Sequence, residues 1–290
     1  MTHVVLVSNP ASGSSDEETL DLVVSRIAAL GNVVRVEPES PEAMGDELSQ
    51  AASDAEIVVV AGGDGTFNHA VNALRERLQH TIMGLIPMGT GNDLARTMGI
   101  PLEPERAAAA LVEGVPEPLD VGIARSDRTE RLFANACMGG FPVAVDEAIE
   151  GALKEKLGPF AFWLGGAKAL ADLTRYDVRI GEGRWDGLLA LGVGNGKTAG
   201  GGITVFPDAA ADDGRLDVVG FAADSVGEGA KLLAALRSGH HVDLPTVERE
   251  SLSRLTVTSD PELEFNVDGE LVGMTTPVEF EIFGSTRLRH

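Results

Sequence analysis

An α/β N-terminal domain with a Rossmann-like parallel sheet, followed by a β-rich, sandwich-like C-terminal domain, is the fold that this sequence predicts. Three observations carry the expectation. About the first 115 residues alternate strand-like and helix-like segments, "GVPEPLDVG" (114–122) breaks that alternation with two prolines, and most segments beyond it have the residue alternation of strands. A chain of 290 residues has room for two cores, and the break places the division near Pro118, giving domains 1–118 and 119–290.

In the first domain the elements follow in order. "HVVLVS" (3–8) precedes a helix over 16–30, "VVRVE" (33–37) precedes "SPEAMGDELSQAA" (40–52), "IVVVA" (57–61) precedes "FNHAVNALRERL" (67–78), and "IMGLIP" (82–87) precedes "NDLARTM" (92–98) and a last helix over 104–113. Ser40 before Pro41 is a helix start with proline in the first turn, and Asp16-Glu17-Glu18 is an acidic first turn. In the second domain "LDVGIA", "RLFANA", "YDVRI", "WDGLLALGVG", "LDVVGF", "RLTVTS", "LEFNVDG" and "VEFEIF" predict strands. Helices are expected from Val145 to Leu173, broken at Gly158-Pro159, and over "GEGAKLLAALRSG", which ends at Gly239 as a glycine-capped helix does.

Composition narrows the function classes. No apolar run approaches the roughly 20 residues of a membrane span, so a cytoplasmic protein, peripheral at a membrane at most, is expected. The single cysteine, Cys137, lies in the apolar stretch "LFANACMGG" and is assigned no chemistry. Net charge is −22, with 45 acidic against 23 basic residues, of which only Lys154, Lys156, Lys168, Lys197 and Lys231 are lysines. Nucleic acid is therefore not an expected partner.

Small polar turns follow three of the four N-terminal strands: "NPASG" (9–13), "GGDGT" (62–66) and "GTGND" (89–93). On one sheet edge they form a phosphate-sized cradle of backbone amides. Asp64 and Asp93 in two of them suit a hydrated magnesium ion or a hydroxyl that needs orienting. Two better-known signatures are excluded. "GVGNGKT" (192–198) is one residue short of a P-loop and lies in the β-rich domain, and no G-x-G-x-x-G follows a strand. His240-His241, with no third ligand in view, reads as a solvated loop rather than a metal site.

Taken in order and spacing, "GGDGTFN", "IPMGTGNDLAR", "GNGKTAGGG", "PDAAADDGRLDV" and "FNVDGE" resemble the soluble diacylglycerol-kinase catalytic family, in its bacterial-type lipid kinase branch. The resemblance spans nearly the whole chain. It implies transfer of the terminal phosphate of ATP to a hydroxyl of a glycerol-based lipid with magnesium, the nucleotide binding in a cleft between an α/β and a β-rich domain. Carried over by motif, Gly62, Gly63, Asp64, Gly65, Thr66, Phe67 and Asn68, with Asn9, Thr90, Asn92 and Asp93, surround the phosphates, and Asp64 meets magnesium through water. Asp268 and Glu270 act at the hydroxyl, one as general base and the other as its support, in an order that the sequence leaves open. Ala210, Asp213 and Arg215 match a structural magnesium loop, the aspartate giving its side chain and its neighbours carbonyl oxygens. The implied partners are a lipid substrate and a transient membrane contact, with a homodimer left open. The apolar stretch "GPFAFWLGGAKALADL" (158–173) could line an acyl groove or form an amphipathic core helix.

Three positions depart from the family pattern. "NPASGSS" lacks the basic residue many members place after the glycine, a charge Arg96 could replace, while His69 and Glu37 stand where relatives carry glutamate and threonine. NAD kinase, which shares the "GGDGT" idea, and a nucleotide-binding regulator without catalysis are the rival functions.

An acidic, lysine-poor surface is self-repelling in dilute buffer and relieved where screening acts over a few ångströms. The thermal midpoint is expected to rise from dilute to molar potassium chloride; no gain with salt would mark an ordinary acidic protein.

Overall fold

The structure is a computed structural model in which residues 2–8, 17–38, 40–140, 173–236 and 238–290 are described. The loop carrying Asn9 and all but the end of the helical stretch expected from Val145 lie outside the described residues. The chain divides into two compact units, Met1–Val121 with Phe283–His290, and Gly122–Ile282.

Unit 1 is the α/β unit. Strands β1 (His3–Ser8), β2 (Asn32–Val36), β3 (Ile57–Gly62) and β4 (Ile82–Pro87) pair in parallel in the order β2-β1-β3-β4. All of β3 is buried, as an apolar strand covered on both faces must be. Helices α1 (Glu17–Ile27), α2 (Pro41–Ala51), α3 (Asp64–Ala73), α4 (Asp93–Thr97) and α5 (Pro104–Glu113) supply the connections. Ser40 caps α2, its Oγ accepting the Ala43 amide at 3.2 Å. The last strand returns here: Arg287–Arg289 pair in parallel with Ile82–Gly84, and the Arg289 guanidinium donates to the carbonyls of Leu111 and Val112.

Strand order gives this unit a topological switch point. Chain connections leave β1 toward β2 and β3 toward β4, so direction reverses between β1 and β3. The turns leaving such neighbours border the crevice where open α/β sheets take ligands.

Unit 2 is an antiparallel sandwich. β7 (Ala136–Gly140), β10 (Ala190–Gly194), β13 (Leu216–Phe221), β14 (Val247–Leu252), β16 (Glu264–Val267) and β17 (Glu270–Thr275) form one sheet in the order β14-β13-β10-β7-β16-β17. β8 (Tyr176–Ile180), β9 (Gly183–Leu188), β15 (Arg254–Asp260) and the start of β18 (Val278–Arg289) form the second layer. β5 (Pro116–Arg125), which crosses the division after Val121, forms a hairpin with β6 (Glu130–Phe133). Phe280 anchors the shared core, with edge-on ring contacts to Phe133 at 6.3 Å and Phe265 at 5.3 Å. A second cluster, including Met138, Phe206, Phe221 and Leu232, packs helix α6 (Val226–Leu236) on the unit. The short strands β11 (Thr198–Ala199) and β12 (Ile203–Thr204) pair with each other.

Several details differ from expectation for physical reasons. Helix α3 starts at Asp64 rather than beyond the glycines, because Gly63 takes the extended N-cap conformation and Asp64 opens the helix with an acidic side chain. "WDGLLALGVG" is two strands, β9 and β10, serving different sheets. β14 and β17 were not anticipated. β14 reads "VERESL" and is half exposed, held by its ladder to β13 at the sheet edge rather than by apolar alternation.

His241 corrects the solvated-loop reading. Its side chain is fully buried, Nε2 lies 2.8 Å from the Val205 carbonyl oxygen, the ring stacks at a tilt on Phe221, and Nδ1 has no hydrogen-bond partner among the described residues. Burial holds this imidazole below its ordinary value of 6.5, against opposing effects of the Val205 carbonyl and the Asp243 charge. With the folded value below the unfolded one, its stabilising contribution is complete above pH 6.5 and lost as pH falls through the folded value. Urea denaturation is expected to show stability falling below pH 6.5, with a shallower decline in His241→Gln.

Candidate active site

In unit 1 the turns "GGDGT" and "GTGND" leave adjacent strands and meet backbone to backbone. A Cβ on Gly63 would lie 3.0 Å from the Gly89 Cα, and one on Gly89 would lie 2.5 Å from the Gly63 Cα. Gly89 therefore requires glycine, and a side chain at Gly63 would press on the Gly89 backbone. Asn92, in the left-handed region at φ 51°, closes the second turn on itself: its Oδ1 accepts the Gly89 amide at 3.0 Å and its Nδ2 donates to the Gly89 carbonyl at 2.7 Å.

Asp64 joins the two turns. Its Oδ2 accepts the Asp93 amide at 3.0 Å and its Oδ1 the Leu94 amide at 2.9 Å, so the carboxylate caps helix α4 from another turn. Burial raises its carboxyl above the ordinary value; the two amides pull it back and the Asp93 charge adds to the rise. The other predicted positions divide. Gly62 ends β3, Gly63 is the N-cap of α3, Gly65 and Thr66 lie in its first turn, and Thr90 is exposed on the second turn. Phe67 packs into the core and its amide closes the first helical bond to the Gly63 carbonyl, while Asn68 is buried and its carbonyl and Oδ1 both accept from Asn72 Nδ2. Arg96 is exposed and ties its Nε to the Gly91 carbonyl at 3.1 Å; Glu37 pairs with Arg35.

In unit 2 Asp268 and Glu270 flank the turn between β16 and β17 but are used differently. Asp268 is buried, with φ 48°. Its Oδ2 accepts the Ala134 amide at 2.9 Å and its Oδ1 the amides of Asn135 at 3.0 Å and Ala136 at 2.9 Å, while its own amide donates to the Ala136 carbonyl. Three of a carboxylate's roughly four acceptor directions are thus taken by backbone. Glu270 is half-buried, with Arg131 Nη2 at 3.4 Å from its Oε2.

Residues 134–136 also reach the "GNGKT" stretch. Asn195 Nδ2 donates to the Ala134 carbonyl at 2.7 Å, the amides of Asn195 and Gly196 donate to the Asn135 carbonyl, and Asn135 Nδ2 donates to the Thr198 carbonyl at 2.7 Å. Arg131, Asn135 and Asn195 were missed as site residues. The available signal was an asparagine set inside each of the apolar stretches "LFANACM" and "LGVGNG". Cys137, next in line, is buried, and burial followed by the Asp268 charge pushes its thiol well up, in keeping with no chemistry.

In the loop expected to hold a structural metal, Asp213 Oδ1 accepts the Arg215 amide at 3.0 Å, next to Gly214 in the left-handed region. Burial first, then the charges of Asp213 and Asp208, raise the nearby Asp217 carboxyl, partly offset by Arg215. Among the described residues no three His, Cys, Asp or Glu side chains gather as a metal site, so a cation held by Ala210, Asp213 and Arg215 would depend on backbone carbonyl oxygens.

Both units match known families. The sequence model described as "Diacylglycerol kinase catalytic domain" matches residues 3–124, and that described as "YegS C-terminal NAD kinase beta sandwich-like domain" matches residues 136–286. A Pseudomonas aeruginosa relative named "Probable lipid kinase YegS-like" is 35% identical over 92% of this chain and 87% of its own. A Staphylococcus carnosus relative named "Diacylglycerol kinase" is 32% identical over 76% of this chain and 72% of its own. A Bacillus anthracis structure titled a diacylglycerol kinase superposes with a TM-score of 0.74 over 99% of this chain and 96% of that one, at 20% identity, which shows shared fold. The chain belongs to the diacylglycerol kinase catalytic family, and at the level of that family it is a lipid kinase. Among the described residues no helix is long and apolar enough to cross a membrane.

The Asp64 brace is testable by itself. Asp64→Asn turns one acceptor into a donor facing a backbone N–H, and is expected to cost about 1–3 kcal/mol in urea denaturation. Asp64→Asn with wild-type stability would show that the two amides do not depend on the carboxylate.

Proposed function

We propose that this protein transfers the terminal phosphate of ATP to a hydroxyl of a glycerol-based, diacylglycerol-like lipid, and that Glu270 takes the hydroxyl proton. The observation that carries the assignment is the unequal placement of the two carboxylates: Asp268 is buried and accepts three backbone amides, whereas Glu270 is half-buried at the start of β17 with Arg131 beside it. Asp268 is the support, holding the turn from which Glu270 projects.

The glycine turns suit phosphate because there is no room for a Cβ between Gly63 and Gly89, so the backbone itself forms the wall. Gly62, Gly63, Gly65, Thr66 and Thr90 hold the phosphates, and Asn9 belongs to the same set by motif. Asn92 and Asp93 shape the second turn, and Phe67 and Asn68 secure α3 beneath the first. Asp64, with an amide on each oxygen, meets the nucleotide's magnesium through water. Magnesium supplies neutralisation of phosphate charge when bound with ATP. As the lipid hydroxyl oxygen bonds to the terminal phosphorus, the bond from that phosphorus to the bridging oxygen breaks, ADP leaves with the electron pair, and Glu270 accepts the proton.

The test is incubation with labelled ATP and extracted lipids, including diacylglycerol, phosphatidylglycerol, sphingoid bases and ether-linked glycerols, with NAD alongside. Label is expected in a glycerol lipid, with Glu270→Gln lowering kcat by about 10²–10⁴. Label in NAD alone would instead identify an NAD kinase, and tight ATP binding with no transfer a regulator.

A further inference from the structure

The hairpin segment 129–136 is tied at three points to the strand that carries Glu270 and the turn before it. Thr129 Oγ1 donates to the Val272 carbonyl at 3.4 Å, Arg131 Nη2 donates to Glu270 Oε2 at 3.4 Å, and the Ala134 amide donates to Asp268 Oδ2 at 2.9 Å. The tied positions fall from 272 through 270 in β17 to Asp268 in the turn before it, while along the hairpin they rise from 129 through 131 to 134. The pairs 129/131 and 272/270 have the spacing of side chains on one face of antiparallel neighbours, and the third tie comes from the Ala134 backbone amide. Yet β6 ladders with β5 and β17 with β16, so side chains make or receive each of these ties. Two of the ties end on the carboxylates of "VDGE". Asp268 receives the end of the segment through amides, and Glu270 receives its middle through a guanidinium.

From this seam we infer that Arg131 is the positioning residue for Glu270, setting the direction of the carboxylate toward the substrate hydroxyl. The inference rests on Glu270 being the proton acceptor. The geometry suits the task. Arg131 is 22% exposed and Glu270 32%, so the pair is shielded enough for orientation to persist while the carboxylate keeps an open side. Arg131 lies in the centre of β6, where the ladder of Ala124 with Arg131 fixes its backbone. A planar guanidinium with directed donors holds a carboxylate at an angle, whereas an ammonium holds it only as a point charge. A proton acceptor displaced by about 1 Å costs on the order of 10² in rate.

The experiment compares kcat and KM of the full-length wild type, Arg131→Gln, Arg131→Lys, Thr129→Val and Glu270→Gln, with a thermal midpoint for each. Arg131→Gln is expected to lower kcat about tenfold or more with KM for ATP and lipid nearly unchanged. Arg131→Lys should recover part of that loss. Thr129→Val, which cuts the neighbouring tie without touching Glu270, should keep a kcat near wild type. If Arg131→Gln fails to fold, Arg131→Met serves as the neutral variant. An unchanged kcat in the neutral variant beside an inactive Glu270→Gln would overturn the role of Arg131 alone. A loss confined to KM, or one matched by Thr129→Val, would overturn it as well. An active Glu270→Gln would overturn both this role and the proton acceptor on which it rests.

Discussion

Aspartate carboxylates that accept backbone amides from distant loops are the interaction on which this structure most depends. Asp64 does this in unit 1 and Asp268 in unit 2, and in each case the loops meet where the chemistry is proposed. A buried, unpartnered amide is costly and a carboxylate pairs with several at once, so one side chain can fix a whole turn. The result is a wall made of backbone in one unit and a fixed turn in the other.

This constraint explains the glycines. With Asp64 pulling the start of α4 toward the "GGDGT" turn, Gly89 lies too close to the Gly63 backbone to carry a side chain. Asn92 completes the geometry, pairing with both the donor and the acceptor of Gly89. The same constraint sets the two acids in "VDGE" apart: Asp268 is buried against backbone amides, and Glu270 is half-buried with Arg131 beside it.

Much of this architecture was legible in the sequence. Apolar runs such as "IVVVA" could only be buried strands, and the capped start of α2 was readable from Ser40-Pro41. β14 escaped because a charged edge strand draws stability from its ladder and leaves no apolar pattern, and β17 because its apolar alternation is limited to Val272 and Met274 and is broken by Gly273. The motifs placed the candidate residues, but not their hydrogen-bond partners. Asp64 finds its amides 29 and 30 positions onward, and Asp268 finds its own 132 to 134 positions earlier, distances at which local pattern carries no information. His241 was misread for the same reason, its environment being set by Val205 and Phe221 rather than by its neighbour His240.

The division of labour between Asp268 and Glu270 is tested most directly by amide hydrogen exchange at Ala134, Asn135 and Ala136. The account predicts slow exchange at these amides in the wild type and in Glu270→Gln, and much faster exchange in Asp268→Ala with the rest of unit 2 still protected. Equal protection in all three proteins would contradict it, because the carboxylate would then not be what holds the turn.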